Sequence, residues 1–303
     1  GGNLKESVAN WQPGYFAGPL DPLTGSTEQQ SCVNWNRVFH VTAQEISDFQ
    51  NALNSPNPPT AAQFPNVFGW PARGNPHFST VNGFDLPNSG QGLAPFFDAN
   101  QDGSYEPLSG DFPVVALSGK PYFVPAEIDW CVFNDEGGDA NTFSGANLLQ
   151  VEVQVTTWAF NCPNNPVLNN TVFTSHKVVN RAIEVLDSTF VGFWSDFDLG
   201  CNADDYVGCD PARNCFYTYN ADQMDGISGN NCGTVATFSN IIPVQTGFFL
   251  NNPLDKFISH ESGGAPVLSE PTASYEYYQS LLGHWRDGTL QTIGGNGYNP
   301  NST

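Results

Sequence analysis

Basic residues are scarce in this sequence. Its 303 residues include 9 Lys plus Arg against 30 Asp plus Glu, which gives a formal net charge of −21. A surface that binds nucleic acid needs clustered cations to neutralise phosphates, and a surface that binds anionic lipids needs them as well. The composition therefore excludes nucleic acid and anionic membranes as partners.

Long apolar runs are also absent. A membrane-spanning helix needs about 18 consecutive apolar residues, and the sequence has no such run. Its opening, GGNLKESVANW, does not resemble a signal peptide. We interpret the sequence as a mature chain or a fragment of a larger protein. The 23 Phe, 10 Tyr and 7 Trp are enough for a core, which excludes an acidic disordered tail.

The seven cysteines lack the spacing of a zinc site, because no close Cys pairs match and no nearby histidine completes a set. Disulfides in an oxidising compartment are favoured. Pairing of Cys201 with Cys209 and of Cys215 with Cys232 is one arrangement among many. The odd count leaves one cysteine over.

The pattern of apolar residues predicts a mainly β fold. Thr42 and Glu45 form a capping box before a helix, TAQEISDFQNAL. A second helix is predicted in SEPTASYEYYQSLLGHW, with Ser269 as its cap and Gly283 as its stop. Between them the signal is β, in six short runs that are rich in branched or aromatic residues: FPVVAL, DWCVF, LLQVEVQVTTWAF, NNTVFTSHKVVN, STFVGFWSDFDL and CFYTYN.

We therefore expect one antiparallel, sandwich-like β domain with long loops and two short helices, spanning 1–303. Val151, Val153 and Val155 alternate with polar residues, which predicts a strand that is half buried. The expected parts are a loop-rich segment with one helix, a β-sandwich core with acidic loops, and a C-terminal helix and loop, at 1–110, 111–250 and 251–303.

A first candidate metal site lies in DANQDGSYEPLSGD. Asp98, Asn100 and Asp102 stand at alternate positions before a glycine, as in the opening of an oxygen-ligand calcium loop. The position of the closing Glu of an EF-hand holds Ser109, so we expect Asp111 to close the ring, with the Ser104 or Tyr105 carbonyl contributing. The alternative is an Asx-rich turn before a strand.

A second candidate site is a run of seven carboxylates with a single cation, Arg213. Unpaired carboxylates on adjoining loops repel one another, and short, hard oxygen ligands suit Ca²⁺ better than Mg²⁺ or Mn²⁺ outside the cell. The alternative is a solvated acidic loop set held by disulfides. The seven residues are Asp196, Asp198, Asp204, Asp205, Asp210, Asp222 and Asp225.

No enzyme motif stands out. The sequence has no H-E-x-x-H, G-x-S-x-G or P-loop pattern. A glycosidase needs only two suitably spaced carboxylates, so a glycan-acting hydrolase stays an alternative. Tryptophans could offer a sugar-stacking platform, although most such residues are core; the candidates are Trp35, Trp70, Trp130, Trp158, Trp194 and Trp285.

Six segments in order resemble a conserved region of large secreted proteins of Bacteroidetes, which carry a C-terminal sorting domain for the type IX secretion system. Phe197 replaces a usual Pro, Phe112 a usual Tyr, and GNNCGTVATFSN a Gly- and Pro-rich segment. The segments are NWNRVFHVTAQEI, GWPARGNP, APFFDANQDGSYEPLSGDFP, DWCVFND, STFVGFWSDFDLGCNADDYVGCDPARNCFYTYNADQMDG and HWRDGTLQTIGGNGYNP.

The resemblance implies a secreted or cell-surface protein whose recurrent acids, at both candidate sites, bind calcium. We expect a calcium-stabilised structural or adhesive module, with a polysaccharide or another cell-surface or secretion-system protein as its partner, and self-assembly is compatible with this role. The alternatives are an extracellular glycan-acting hydrolase with paired carboxylates and a component bound to the type IX secretion machinery.

Overall fold

A computed structural model describes residues 15–87, 92–136, 146–226, 232, 237–260, 265–294 and 296–301. The chain forms two compact units, Gly1–Leu186 and Asp187–Thr303. Their boundary lies inside the segment 111–250 that the sequence analysis assigned to one core, and the expectation of a single domain stays a prediction.

The mainly antiparallel β class predicted from the sequence is confirmed. In the described ranges, ten strands form three antiparallel sheets, none of which is closed. The strands are β1 (Phe16–Ala17), β2 (Phe39–Thr42), β3 (Phe96–Phe97), β4 (Phe112–Pro113), β5 (Glu127–Asn134), β6 (Val151–Ala159), β7 (Val172–Asn180), β8 (Asp205–Asp210), β9 (Cys215–Asn220) and β10 (Val244–Phe248).

Six α-helices lie in the described part of the chain, where the sequence predicted two. The four additional helices have four to seven residues each, too short for a 3.6-residue periodicity to reveal them. The helices are α1 (Gln29–Trp35), α2 (Ala43–Leu53), α3 (Pro65–Phe68), α4 (Phe78–Asn82), α5 (Pro166–Asn169) and α6 (Ser274–Leu281).

Both helices predicted from the sequence are present, and one begins later than expected. Helix α2 starts after Thr42, whose hydroxyl accepts the Glu45 N–H at 3.1 Å. Helix α6 begins at Ser274, so Ser269 is not its cap. The Glu276 carboxylate instead accepts the N–H groups of Thr272 and Ala273, at 2.7 and 3.2 Å. The predicted stop is confirmed by Gly283, whose φ is +76°.

The first unit is built on a five-stranded sheet and an aromatic core. Strand β5 pairs with β6 along its length, and β6 pairs with β7 in turn. Strands β1 and β2 pair with β5 on its other edge. The buried cluster against this sheet includes Trp35, Phe49, Trp70, Tyr105 and Trp130, all at most 3% exposed.

The polar face of β6 is the face that is buried. Glu152 and Gln154 are 0% and 3% exposed, whereas Val151 and Val153 are only half buried. Strand β6 is thus half buried as predicted, but charge compensation reverses the orientation that hydrophobicity alone favours. The Arg181 Nη2 atom lies 2.8 Å from Glu152 Oε2, and the Gln154 amide donates to Oε1 at 2.8 Å.

The second unit contains the three-stranded sheet, in the order β10-β9-β8. A disulfide joins Cys201 and Cys232, so the pairing of Cys201 with Cys209 and of Cys215 with Cys232 is wrong. The strand predicted in STFVGFWSDFDL is also wrong, because residues 188–199 have no strand partner in the described structure. Its Val191 and Trp194 are 80% and 73% exposed.

Five of the six candidate tryptophans are buried, and Trp194 is the exposed one. No helix in the described ranges combines the length and the apolar character needed to cross a lipid bilayer.

Candidate metal centre

The second unit gathers a group of acceptor side chains at one end of the β8–β9 hairpin. Asp204 ends a 3₁₀ turn at Asn202–Asp204, and Asp205 is the first residue of β8. The antiparallel register places Asn220, the last residue of β9, directly opposite Asp205. Asp225 lies five residues after Asn220, at the end of the turn that leaves β9. We call Asp204, Asp205, Asn220 and Asp225 the hairpin-end cluster.

Two carboxylates of this cluster are close enough to share an ion. One oxygen of Asp204, one oxygen of Asp225 and the Cys201 sulfur all lie within 4.8 Å of one another, and all three residues are buried. The Cys201 sulfur belongs to a disulfide, so it is not the thiolate that binds metals strongly. The carboxylates are therefore the charged ligands that this group offers.

Three buried oxygens in the hairpin-end cluster have no hydrogen-bond partner. They are Asp204 Oδ1, Asp205 Oδ1 and Asn220 Oδ1. A buried acceptor without a partner costs about 1–3 kcal/mol of stability, and more when it is charged. Each of these three oxygens is an acceptor that a bound cation would satisfy, and the two carboxylates known to lie within 4.8 Å of each other are those of Asp204 and Asp225.

The remaining atoms of these three side chains hold them in place. Asp204 Oδ2 accepts the Gly226 N–H at 3.1 Å, and Asp205 Oδ2 accepts the Leu199 N–H at 2.8 Å. The Asn220 amide nitrogen donates to the Asp222 carbonyl at 3.2 Å. Each side chain is thus fixed by one polar atom and leaves the other unpartnered.

Asp225 organises the loops around the cluster. Its Oδ1 accepts the Cys201 N–H at 2.8 Å, and its Oδ2 accepts the Phe238 N–H. Gly200 makes room for it, because a Cβ at this position would lie 2.1 Å from Asp225 Oδ2, and the Gly200 φ is +68°. A glycine is therefore required where the chain passes this carboxylate.

The cluster is crowded with negative charge. Burial raises the pKa of Asp205, and the carboxylates of Asp204, Asp225 and Asp198 raise it further, against the hydrogen bond from Leu199. No Lys or Arg ion-pairs with Asp204, Asp205 or Asp225 in the described part of the chain. A cation from the medium would neutralise this charge.

The other acids predicted at this site lie outside the cluster. Asp196 and Asp198 are exposed, although Asp198 is near enough to influence Asp205. Asp210 lies at the opposite end of β8, where it accepts the Arg213 N–H at 3.2 Å and ion-pairs with the Arg213 guanidinium. Asp222 Oδ1 accepts the Met224 N–H at 2.8 Å.

Sequence reasoning missed Asn220, because only acids were considered as ligands in this region. The signal was the near-symmetry of the hairpin DYVGCD-PARN-CFYTYN. With the turn centred on Pro211–Arg213, the first residue of β8 must pair with the last residue of β9. The register of an antiparallel hairpin therefore pairs Asn220 with Asp205.

The candidate loop of the first unit has a compact turn at its start. The Asp102 N–H donates to Asp98 Oδ1 and to Asn100 Oδ1, both at 3.2 Å. The Gly103 N–H donates to Asp98 Oδ2 at 2.8 Å, and the Ser104 N–H donates to Asp102 Oδ1 at 2.7 Å. Gly103 has a φ of +78°, which fits the sharp turn of a calcium loop.

Asp111 is the buried anchor of that loop. It is 0% exposed, and its two oxygens accept the N–H groups of Ala99 at 2.9 Å and Glu106 at 2.8 Å. Burial raises the pKa of Asp111, and the carboxylates of Asp98 and Asp102 add to the shift. Asp111 thus closes the loop by backbone hydrogen bonds, and calcium binding there stays a prediction.

Comparisons with known proteins give no relative: no family model, no curated protein and no solved structure matches this chain. The hairpin-end cluster is therefore interpreted from its own geometry.

Proposed function

We propose that this chain is a calcium-stabilised structural or adhesive module of a secreted or cell-surface protein, with Ca²⁺ held by the hairpin-end cluster. The observation that carries the proposal is the set of three buried, unpartnered oxygens on Asp204, Asp205 and Asn220. A cation bound there replaces missing hydrogen bonds and offsets carboxylate repulsion in one step.

The chemistry of the ligands favours Ca²⁺. The cluster offers carboxylate and carboxamide oxygens from loops and strand ends, with no histidine and no free thiolate among the four residues. Hard oxygen donors in flexible, irregular geometry suit Ca²⁺, whereas Mg²⁺ demands near-octahedral coordination and Zn²⁺ prefers nitrogen or sulfur. The turn at Asp98, Asn100 and Asp102 is the second calcium loop in this proposal.

The extracellular location rests on two features. The Cys201–Cys232 disulfide fits an oxidising compartment, and extracellular calcium modules work at the millimolar concentrations found there. The resemblance of the sequence to Bacteroidetes proteins exported by type IX secretion supports the same location. The exposed Trp194 and Val191 offer apolar contacts to a surface partner.

Calcium titration of the metal-free protein tests the proposal. Calorimetry after dialysis against EGTA should show Ca²⁺ uptake, with Mg²⁺ much weaker, and thermal unfolding should move to higher temperature on adding Ca²⁺. Saturation at a thousandfold excess over Kd stabilises by about 4 kcal/mol. The proposal fails if EGTA leaves the Tm unchanged and no Ca²⁺ binding is detected.

A matched pair of variants assigns the effect to the cluster. Asp205→Asn should weaken Ca²⁺ binding by roughly tenfold or more, the loss of about one charged ligand contact. In EGTA the same variant should be as stable as the parent or more so, because it removes one of the crowded charges. Asp255→Asn removes an 80%-exposed carboxylate of the same unit and should change neither quantity.

A further inference from the structure

A cavity of about 340 Å³ in the first unit has a different chemistry from the metal centre. One wall contains Arg37, from the segment between α1 and β2, and His40, from β2 itself, and the helices α3 and α4 contribute Asn66 and Asn82. Val38 and Val81 supply apolar surface. The cavity thus combines a cation, carboxamides and aliphatic patches.

The Arg37 guanidinium has no carboxylate partner in the described ranges. Its guanidinium stacks over the Phe84 ring, 4.9 Å from the centroid, and burial lowers its pKa. No carboxylate lies within ion-pair distance of it in the described ranges. Of the five arginines, Arg181, Arg213 and Arg286 each pair with a carboxylate. Of the two that do not, Arg73 is exposed, whereas Arg37 is half-buried.

Two carboxylates each contact a residue of the other cavity walls, although the second oxygen of Glu45, Oε1, is buried without a hydrogen-bond partner. Asp129 Oδ1 lies 2.9 Å from His40 Nδ1, and Glu45 Oε2 accepts the Asn66 amide at 2.8 Å. These contacts fix His40 and Asn66 in the cavity wall. They do not involve the Arg37 guanidinium, which is therefore available to a ligand. A planar, bidentate donor such as arginine matches a carboxylate in geometry as well as in charge.

Asn82 supplies an acceptor for a neutral polar group. Its amide nitrogen donates to the Gly69 and Phe78 carbonyls, at 2.9 and 3.1 Å. These two bonds use both of its hydrogens, so its Oδ1 is the atom that remains for a ligand. An acceptor in the same cavity as a guanidinium suits a ligand that carries both a hydroxyl and a carboxylate.

We propose that this cavity binds a sugar unit that carries a carboxylate, a hexuronate in an acidic polysaccharide. Arg37 pairs with the carboxylate, Asn82 and Asn66 bind ring hydroxyls, and the valines pack on the C–H face of the ring. The volume lies at the small end of ligand pockets and suits one sugar unit. The inference deepens the adhesive part of the proposed function but does not depend on the cation.

Titration with three small probes tests the assignment. Methyl α-galacturonate should bind in calorimetry or ligand-observed NMR, whereas methyl α-galactoside, which lacks the carboxylate, should bind at least tenfold more weakly. Sodium acetate tests whether the anion alone is enough. Equal binding of the galactoside, or acetate as tight as the uronate, overturns the proposal, as does absence of uronate binding.

Variants locate the site. Arg37→Gln should reduce uronate binding by roughly tenfold or more. Arg37→Lys keeps the positive charge but loses the planar, bidentate donor geometry, and it should give an intermediate loss. Arg73→Gln makes the same charge change at an exposed position of the same unit and should leave binding unchanged. An equal loss in Arg73→Gln would show that general charge, and not this cavity, attracts the ligand.

The cation site can be separated from this one. Asp205→Asn should bind the uronate as the parent does, even though its Ca²⁺ affinity is reduced. A loss of uronate binding in Asp205→Asn would mean that the carboxylate is recognised through the cation and would overturn the role of Arg37. Failure of calcium binding with intact uronate binding would reject the proposed function alone.

Discussion

Glu152 in the first unit and the hairpin-end carboxylates in the second unit are buried in different ways. In the first unit, Glu152 is fully buried against Arg181, which contacts it through Nε and Nη2 at 3.2 and 2.8 Å. In the second, Asp204 and Asp225 are 5% and 2% exposed and have no basic partner in the described structure. Glu152 is balanced by a guanidinium, as Glu276 of the second unit is by Arg286. Asp204 and Asp225 depend on backbone N–H groups, as Asp111 of the first unit does, and, in our proposal, on a cation from the medium.

The difference in charge compensation accompanies a difference in core size. The first unit packs a continuous aromatic cluster on its sheet. In the described part of the second unit, the buried apolar residues are few: Leu199, Cys201, Cys215, Phe216, Leu268 and Trp285. A unit with a small core needs other constraints, such as a disulfide or a metal.

The largest expected effect breaks the internal pair of the first unit. Glu152→Gln leaves Arg181 buried without its anion, which should cost about 3–5 kcal/mol of stability, as for other broken buried pairs. Urea unfolding monitored by hydrogen exchange should show the loss in peptides of 15–186. Glu127→Gln, on the exposed side of neighbouring β5, is the control and should be nearly neutral. If Glu152→Gln left the free energy of unfolding unchanged, the contrast between the Glu152–Arg181 pair and the hairpin-end carboxylates would disappear.

The next effect concerns the covalent constraint of the second unit. The disulfide closes a sequence separation of 31 residues, for which chain entropy predicts about 3–4 kcal/mol of stabilisation. Replacing Cys201 and Cys232 together by Ser should speed hydrogen exchange in 187–303 and weaken calcium binding, because Cys201 N–H holds Asp225. Faster exchange in 15–186 to the same extent would show that the units do not differ in this dependence.

The smallest effect is a pH dependence in the second unit. Backbone N–H donation from Thr272, with further bonds from Arg286, the Thr272 hydroxyl and Tyr275, lowers the pKa of Glu276 from 4.5 to about 2. A lowered carboxyl pKa stabilises the fold above the unfolded value, so this stabilisation is lost as the pH falls from about 4.5 to about 2.

Glu276→Gln should remove that acid-dependent component and cost about 1–3 kcal/mol at neutral pH, since charge-assisted hydrogen bonds are lost. To check this prediction, the free energy of unfolding is measured against pH for the parent, for Glu276→Gln and for the control Glu270→Gln. Glu270 is an exposed carboxylate nearby. If Glu276→Gln lost stability in acid as the parent does, other carboxyl groups would be responsible for the acid dependence of the second unit's stability.

Much of the fold follows from local patterns. The capping pair Thr42 and Glu45 located α2 to the residue, and branched, aromatic runs located β5, β6, β7 and β9. The run STFVGFWSDFDL failed because strand propensity describes a residue that packs on a neighbour, and residues 188–199 have none in the described sheets. Short helices and two-residue strands carry too few residues to leave a periodic signal.

The candidate metal centre was predictable in part. The density of Asp between residues 196 and 225 located the region, but spacing along the chain could not separate Asp204, Asp205 and Asp225 from Asp210, which caps a turn at the other end of β8. The decisive information, a buried oxygen without a partner, exists only once the loops are folded.

By itself, the sequence determined the antiparallel β class, helix α2 and the excess of carboxylates over basic residues, because these depend on composition and on neighbours within a few residues. The tertiary structure alone decided which face of β6 is buried and which cysteines pair. Each of these depends on a partner far away in the chain: Arg181 lies 29 residues from Glu152, and Cys232 lies 31 residues from Cys201. Burial of a charge and closure of a disulfide are set by distances in space, which local sequence does not encode.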